Sequence, residues 1–213
     1  MPIDAKDEDK ESLVLELANY IKNENIYFTG IQSDDLSAEI FLKYFDYEYK
    51  KVLSMSIMTC HKVNKYPLRG ELISVQEKHY EELSDMIINF YNDALKEKVS
   101  KEDAYEKIKG TLLNNSREFY IYEVNKEIIG MIASTRKMQE GRSISYVYIK
   151  DEYRTQGYCK EMISKLTADY LDQGLKYLTL YVDRNNPYSN GAYLAVGYEY
   201  VLDISTYELI KED

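Results

Sequence analysis

Apolar positions recur along this chain with two periods, and the switches between them lay out its elements. Across Asp7–Asn23, residues Leu13, Val14, Leu17, Tyr20 and Ile21 share one side of a 3.6-residue spiral, which predicts an amphipathic helix. The apolar run at 26–28 predicts a short strand ending at Gly30. Ser33 then reads as a helix N-cap, with Asp34 and Asp35 in the first turn and Leu36, Ile40, Phe41, Tyr44 and Phe45 along the stripe. Residues 52–59 alternate as a strand does, and the polar stretch 61–70, with its proline and glycine, reads as a linker.

Beyond the linker, strands and helices follow each other more regularly. Residues 71–76 open a strand, and Tyr80, Leu83, Ile87, Phe90 or Tyr91 and Ala94 continue at helical spacing. Ser100 caps a further helix that ends near 110–115. Residues 119–124 and 127–134 are strands joined at Asn125 and Lys126 in a hairpin-like turn. Residues 144–149 (ISYVYI) are aromatic and β-branched, and Met162, Ile163, Leu166, Tyr170 and Leu171 place a helix soon after them. A strand at 177–182, a short helix, and closing strands at 200–201 and 206–210 complete the order. This pattern predicts an α/β fold, a mixed sheet with helices on its faces.

Two motifs carry chemistry. Arg154-Thr155-Gln156-Gly157-Tyr158-Cys159 lies between a strand and a helix, where the first N–H groups of the helix lack internal partners and the macrodipole is positive. Such a turn suits a phosphate or pyrophosphate, although Gly157 could equally serve a tight turn alone. Downstream, Asn186, Ser189, Tyr193, Gly197 and Tyr198 fit the pattern N-x-x-S-x-x-x-Y-x-x-x-G-Y. Asn186 suits an N-cap, Pro187 the first helical position and Gly197 the left-handed position after the end. Asn186 and Tyr193 stand two turns apart, on one face with Ser189 and Asn190.

In these residues the chain resembles the GNAT superfamily of acetyl-coenzyme A-dependent N-acetyltransferases. That family's phosphate loop reads [Q/R]-x-x-G-x-[G/A], matched by Arg154, Gly157 and Cys159, and its later signature N-x-x-A-x-x-x-Y-x-x-x-G-F is matched by the second motif. The likeness covers residues 117–201, and 71–115 are compatible with it. It implies a central mixed, mostly antiparallel sheet flanked by helices in a domain spanning 71–213. Residues 1–70 would be an N-terminal α/β extension that shapes the acceptor pocket. By resemblance, the amides of Arg154, Thr155, Gln156, Gly157, Tyr158 and Cys159 hold the coenzyme A pyrophosphate. The backbone of Val147, Tyr148 and Ile149 pairs with the pantetheine arm. Asn186, Ser189 and Asn190 are further coenzyme contacts, and Tyr193 is the general acid toward the leaving thiolate. Cys159 departs from the family's Gly or Ala. Glu118 and Glu123 are strand carboxylates that could act as a base or stand solvated, so no base is assigned.

The remaining composition narrows the picture. A net charge of −10 opposes sequence-independent nucleic-acid binding and suits a cationic acceptor. No apolar run approaches a membrane span, and the acidic first ten residues are unlike a secretory leader. Two cysteines and two histidines supply neither a disulfide framework nor an obvious metal cluster, so the expected setting is the cytoplasm and no metal is expected. The expected activity is transfer of acetyl from acetyl-CoA to a small amine or a peptide amine, in a ternary complex. A non-catalytic coenzyme A-binding or protein-interaction module with the same fold is the alternative. Pairing of the closing strands would allow a homodimer.

Overall fold

The computed structural model describes residues 7–45, 47–113 and 117–210. Among them are six α-helices, α1 (Asp7–Asn23), α2 (Asp35–Phe45), α3 (Tyr80–Phe90), α4 (Lys101–Leu113), α5 (Tyr158–Asp172) and α6 (Pro187–Val196). The eight strands are β1 (Gly30–Ser33), β2 (Tyr49–Cys60), β3 (Glu71–Ser74), β4 (Glu118–Val124), β5 (Glu127–Lys137), β6 (Gly141–Ile149), β7 (Tyr177–Asp183) and β8 (Glu199–Leu209). They fall into two compact units, one of residues 1–57, 182–186 and 200–213, the other of 58–181 and 187–199.

In the second unit the strands run in the order β7-β6-β5-β4-β3. β3, β4, β5 and β6 are antiparallel to their neighbours, and β6 with β7 is parallel, so the sheet is mixed and mostly antiparallel, as expected. Alternation along β4 shows how its two faces are used. Phe119 and Ile121 join Leu83, Ile87 and Ile108 in the core beneath α3 and α4. Tyr120 and Tyr122 point the other way, their hydroxyls bonded to Tyr170 and Glu161 of α5. The hairpin between β4 and β5 turns at Asn125 and Lys126, both with positive φ (51° and 68°), which matches the twist of the flanking strands.

The first unit packs α1 on α2 through Val14, Ala18 and Phe41. β1 pairs with β8, and Gly30 lies so close to it that a Cβ there would stand 2.4 Å from the Tyr207 carbonyl. Gly30 therefore begins the strand, rather than ending one at 26–28. Asp34, not Ser33, caps α2: its Oδ1 accepts the Ser37 N–H at 3.1 Å. Residues 200–201 and 206–210 belong to one long strand, with Ile210 just beyond its end.

The segment 61–70, read as a linker, is a strap bound to α5 and α6. Asn64 N–H donates to the Val196 carbonyl at 2.7 Å, and Tyr66 N–H to Ser164 Oγ at 3.0 Å. Its polarity serves hydrogen bonds to helix ends and side chains, which composition alone does not distinguish from solvation.

Candidate functional site

The site is built where β6 stops being a regular strand. Its pairing with β5 skips between Ser145 and Tyr148, so Tyr146 and Val147 together oppose Ile132, and Tyr146 takes φ of 53°. A bulge with a left-handed aromatic residue is strained and needs support. Here Arg117 Nη1 donates to Tyr146 Oη at 2.8 Å, Tyr91 Oη lies 3.3 Å away, and the ring packs on Phe119. Burial pushes the Tyr146 phenol up to about 12.

On its other side β6 meets β7 in register at Gly141–Tyr177, Arg142–Leu178 and Ser143–Thr179. Beyond that no pair joins them among the described residues of this unit. The backbone of Val147 and Tyr148 is thus open toward β7. The Ile149 carbonyl differs, since it already accepts Arg154 Nε at 2.9 Å.

A 3₁₀ turn at Asp151–Tyr153 leads into the loop. Thr155 and Gly157 both have positive φ, 63° and 91°, and α5 begins directly after them. A β-branched residue at positive φ is an outlier, here accompanied by a bond from Thr155 Oγ1 to the Arg154 carbonyl at 2.7 Å. None of the N–H groups of residues 155–159 donates to an acceptor among the described residues. Five successive unengaged amides at a helix N-terminus form an anion-binding concavity.

The Arg154 side chain turns away from this concavity. Its Nη2 pairs with Asp93 at 2.6 Å and Asp151 at 2.9 Å, so its charge is compensated and it fastens the loop to the end of β6. Cys159, half-buried, has its thiol pushed up to about 12 by burial, against the pull of Arg154 and Lys160. It stays a neutral thiol rather than a nucleophile.

Tyr193 is buried in α6 and meets Tyr198 edge-on at 5.8 Å between centroids. Burial raises its phenol well above the ordinary value, with Cys159 and Tyr198 adding to the effect. Ser189 and Asn190 lie half-buried on the same helix. Asn186 immediately precedes it, in the first unit, with its N–H on the Asp183 carbonyl at 3.1 Å. Gly197 ends the helix at φ of 104°, as expected of the left-handed position.

A cavity of about 620 Å³ opens beside Tyr148. Its lining includes Glu81, Glu82, Asp85, Asp93, Asp151 and Glu152. Lys101 pairs with Glu81 and Asp85, Lys150 with Glu82 and Arg154 with Asp93 and Asp151, so six carboxylates face three cations. Glu118, considered as a base, is engaged elsewhere. Burial would raise its carboxyl, but hydrogen bonds from Arg142 at 2.7 Å and from Tyr170 hold it below the ordinary value. Glu123 stands at the far end of β4, opposite Glu71 and Ile128.

Sequence patterns missed Arg69, Glu161 and Tyr122, which meet directly beneath the loop. Arg69 lies in the strap, outside both motifs, and a glutamate in the first turns of a helix ordinarily reads as a partner of the dipole.

Comparison with known proteins bears on the family and the fold. Residues 82–198, more than half of the chain, match the acetyltransferase (GNAT) family. No curated protein matches. Among solved structures, a GNAT-family acetyltransferase from Colwellia psychrerythraea superposes with a TM-score of 0.65 at 11% identity, covering 94% of this chain and 72% of that one. A GCN5-related N-acetyltransferase from Sphaerobacter thermophilus gives 0.62 at 10% identity, covering 97% and 70%. Spermidine N-acetyltransferase from Vibrio cholerae, solved with CoA and spermine, gives 0.55 at 15% identity, covering 66% and 95%. These likenesses speak to the fold, and the family match to membership: the chain belongs to the GNAT acetyltransferase family.

Proposed function

We propose that this protein transfers the acetyl group of acetyl-coenzyme A directly to a primary amine, with donor and acceptor bound together. The observation that carries the reading is the run of five unengaged amides at residues 155–159, one short turn beyond a strand whose edge toward β7 is open. A pyrophosphate fits this concavity. At Gly157 the nearest outside atom to an added Cβ would be Arg69 Nη2, at 3.6 Å, so the loop is open above its backbone. Val147 and Tyr148 offer main-chain groups to an extended pantetheine arm, and Ser189 and Asn190 supply further coenzyme contacts.

The coenzyme supplies an activated acyl group on a thioester. The ammonium first gives a proton to solvent, and the free amine attacks the thioester carbonyl. The C–S bond breaks, Tyr193 Oη gives its proton to the leaving sulfur, and the proton shed by the newly bonded nitrogen returns to the phenolate through solvent. A phenol raised by burial is a weak acid in water's terms, but a thiolate released into the same dry surroundings is raised as well.

The acid-lined cavity beside Tyr148 favours an acceptor that arrives as a cation. Small amines and peptide amines both meet that requirement, and the spermine bound to the Vibrio neighbour is one cation of this kind on the same fold. In this reading the chain acts as a cytoplasmic acetyltransferase needing no metal.

Isothermal titration with acetyl-coenzyme A, followed by an amine panel scored by released thiol, tests the proposal. Saturable micromolar binding and amine-dependent thiol release are expected. No binding at millimolar coenzyme would overturn it.

A further inference from the structure

The phosphate loop is gripped from one side by a residue that belongs to neither motif. Arg69 Nη2 donates to the Gln156 carbonyl at 2.6 Å, and Arg69 Nε donates to Glu161 Oε1 at 2.7 Å. The main-chain N–H of Arg69 reaches Glu161 Oε2 at 3.0 Å, and the guanidinium lies 3.9 Å from the centre of the Tyr158 ring. One planar fork thus touches the loop, the first residue of α5 and a carboxylate one turn further along.

Two consequences follow from these contacts. The Gln156 carbonyl and the Gly157 N–H belong to one planar trans peptide, so they point in opposite directions. Holding the oxygen on Arg69 turns the Gly157 N–H away from it, outward from the loop. The second consequence concerns charge. Glu161, at 5% exposure, is the single buried carboxylate among the described residues, and it lies near the start of α5. An unpaired negative charge there would oppose any anion at the helix start. Burial would raise the Glu161 carboxyl, but hydrogen bonds from Arg69 and Tyr122 hold it below the ordinary value, so it is ionised and paired.

We propose that Arg69 is a positioning residue of the coenzyme site: it aims the Gly157 amide through Gln156 and cancels the Glu161 charge beneath the loop. This rests on the reading of residues 155–159 as the coenzyme A site. Arg69 acts on the coenzyme through the loop it shapes. The strap at 61–70 thereby becomes part of the binding apparatus.

The test is titration of the full chain with coenzyme A in wild type, Arg69→Lys, Arg69→Met and the double variant Arg69→Met/Glu161→Gln, each with a thermal melt. Lysine keeps the charge but cannot span two acceptors with a planar fork. Arg69→Lys should therefore weaken binding about tenfold and Arg69→Met about a hundredfold, the scale of lost charge-assisted hydrogen bonds. The double variant removes the stranded buried charge, so it should regain the melting temperature and the share of affinity lost to that charge, but stay about tenfold weaker than wild type because the Gln156 carbonyl is no longer held. In steady-state assays KM for acetyl-coenzyme A should rise while kcat at saturation holds. Should Arg69→Met fail to fold, Arg69→Lys and the double variant decide the matter. A dissociation constant within about twofold of wild type in those two would overturn the role of Arg69 alone. Failure of the wild type to bind would overturn the coenzyme site, and this proposal with it.

Discussion

The Tyr122 hydroxyl donates to Glu161 Oε2 at 2.8 Å, and both side chains are buried. The same hydroxyl accepts the Gly70 N–H at 3.1 Å, so one phenol joins β4, the strap and α5. Replacing it with phenylalanine leaves the ring but strands a buried N–H and takes a donor from a buried carboxylate. Tyr122→Phe should cost about 1–3 kcal/mol. At about 2–4 °C per kcal/mol for a chain of this size, a thermal melt resolves that loss. An unchanged melting temperature would show that water replaces the hydroxyl.

Gly157 shows what the loop asks of its backbone. With φ of 91° and its nearest outside atom 3.6 Å from an added Cβ, the obstacle to a side chain is conformation rather than space. Gly157→Ala should lose about 1–2 kcal/mol of stability and turn the amides of the loop away from their present directions. Coenzyme titration should show affinity reduced at least about tenfold. Normal affinity would mean that the loop binds nothing through its amides.

Tyr193→Phe keeps the ring that meets Tyr198 edge-on and removes only the hydroxyl. Coenzyme binding should stay as in wild type, while kcat falls by about 10²-fold or more, the usual contribution of a positioned acid. Thiol release followed under saturating coenzyme and amine measures this directly. Full turnover in the variant would assign the acid elsewhere.

Acid should unfold the protein through Glu118 and Glu161. Both carboxyls are held below the ordinary value of 4.5 by arginine and tyrosine hydrogen bonds, against the effect of burial. Their stabilisation is fully present above the unfolded-state value and is lost as pH falls through the folded-state values. Urea melts between pH 7 and pH 3 should therefore show stability declining below about 4.5. In Glu118→Gln the decline should be shallower; an identical decline would place the acid lability in other groups.

Neither cysteine should react while the chain is folded. Burial raises Cys60 to about 11 and Cys159 to about 12, so both stay protonated thiols at pH 8. Alkylation followed by mass spectrometry should find both thiols unmodified until denaturant is added. Rapid native labelling of Cys159 would return it to consideration as a nucleophile.

Much of the fold was legible because its periodicities are strong. The stripe of α3, the Asn125–Lys126 turn and the Asn186–Pro187 start of α6 each have a local cause that residues within one element reveal. The turn at residues 154–157 was legible for the same reason, since a strand, a glycine and a helix are consecutive in the chain. Arg69 was not, because its meaning comes from Gln156 and Glu161, far along the sequence. Nor could spacing reveal that Arg154 spends its charge on Asp93, a residue from the end of α3's continuation. Gly30 shows the opposite failure. Local preference made it a stop, whereas the close approach of β8 makes it the opening of a strand.

The early end of the β6–β7 pairing carries one more consequence. A sheet that opens in its interior has edges of the kind that usually invite a stray strand. If the proposed coenzyme site holds, the invited guest is an extended small molecule, which would complete the ladder as a temporary strand of non-protein chemistry. Ligand and fold are then thermodynamically coupled. At a hundred times its dissociation constant, the coenzyme would add about 2.7 kcal/mol to global stability. The protection should be greatest at the backbone amides of Val147 and Tyr148, so the protein would be most firmly folded when it is ready to work.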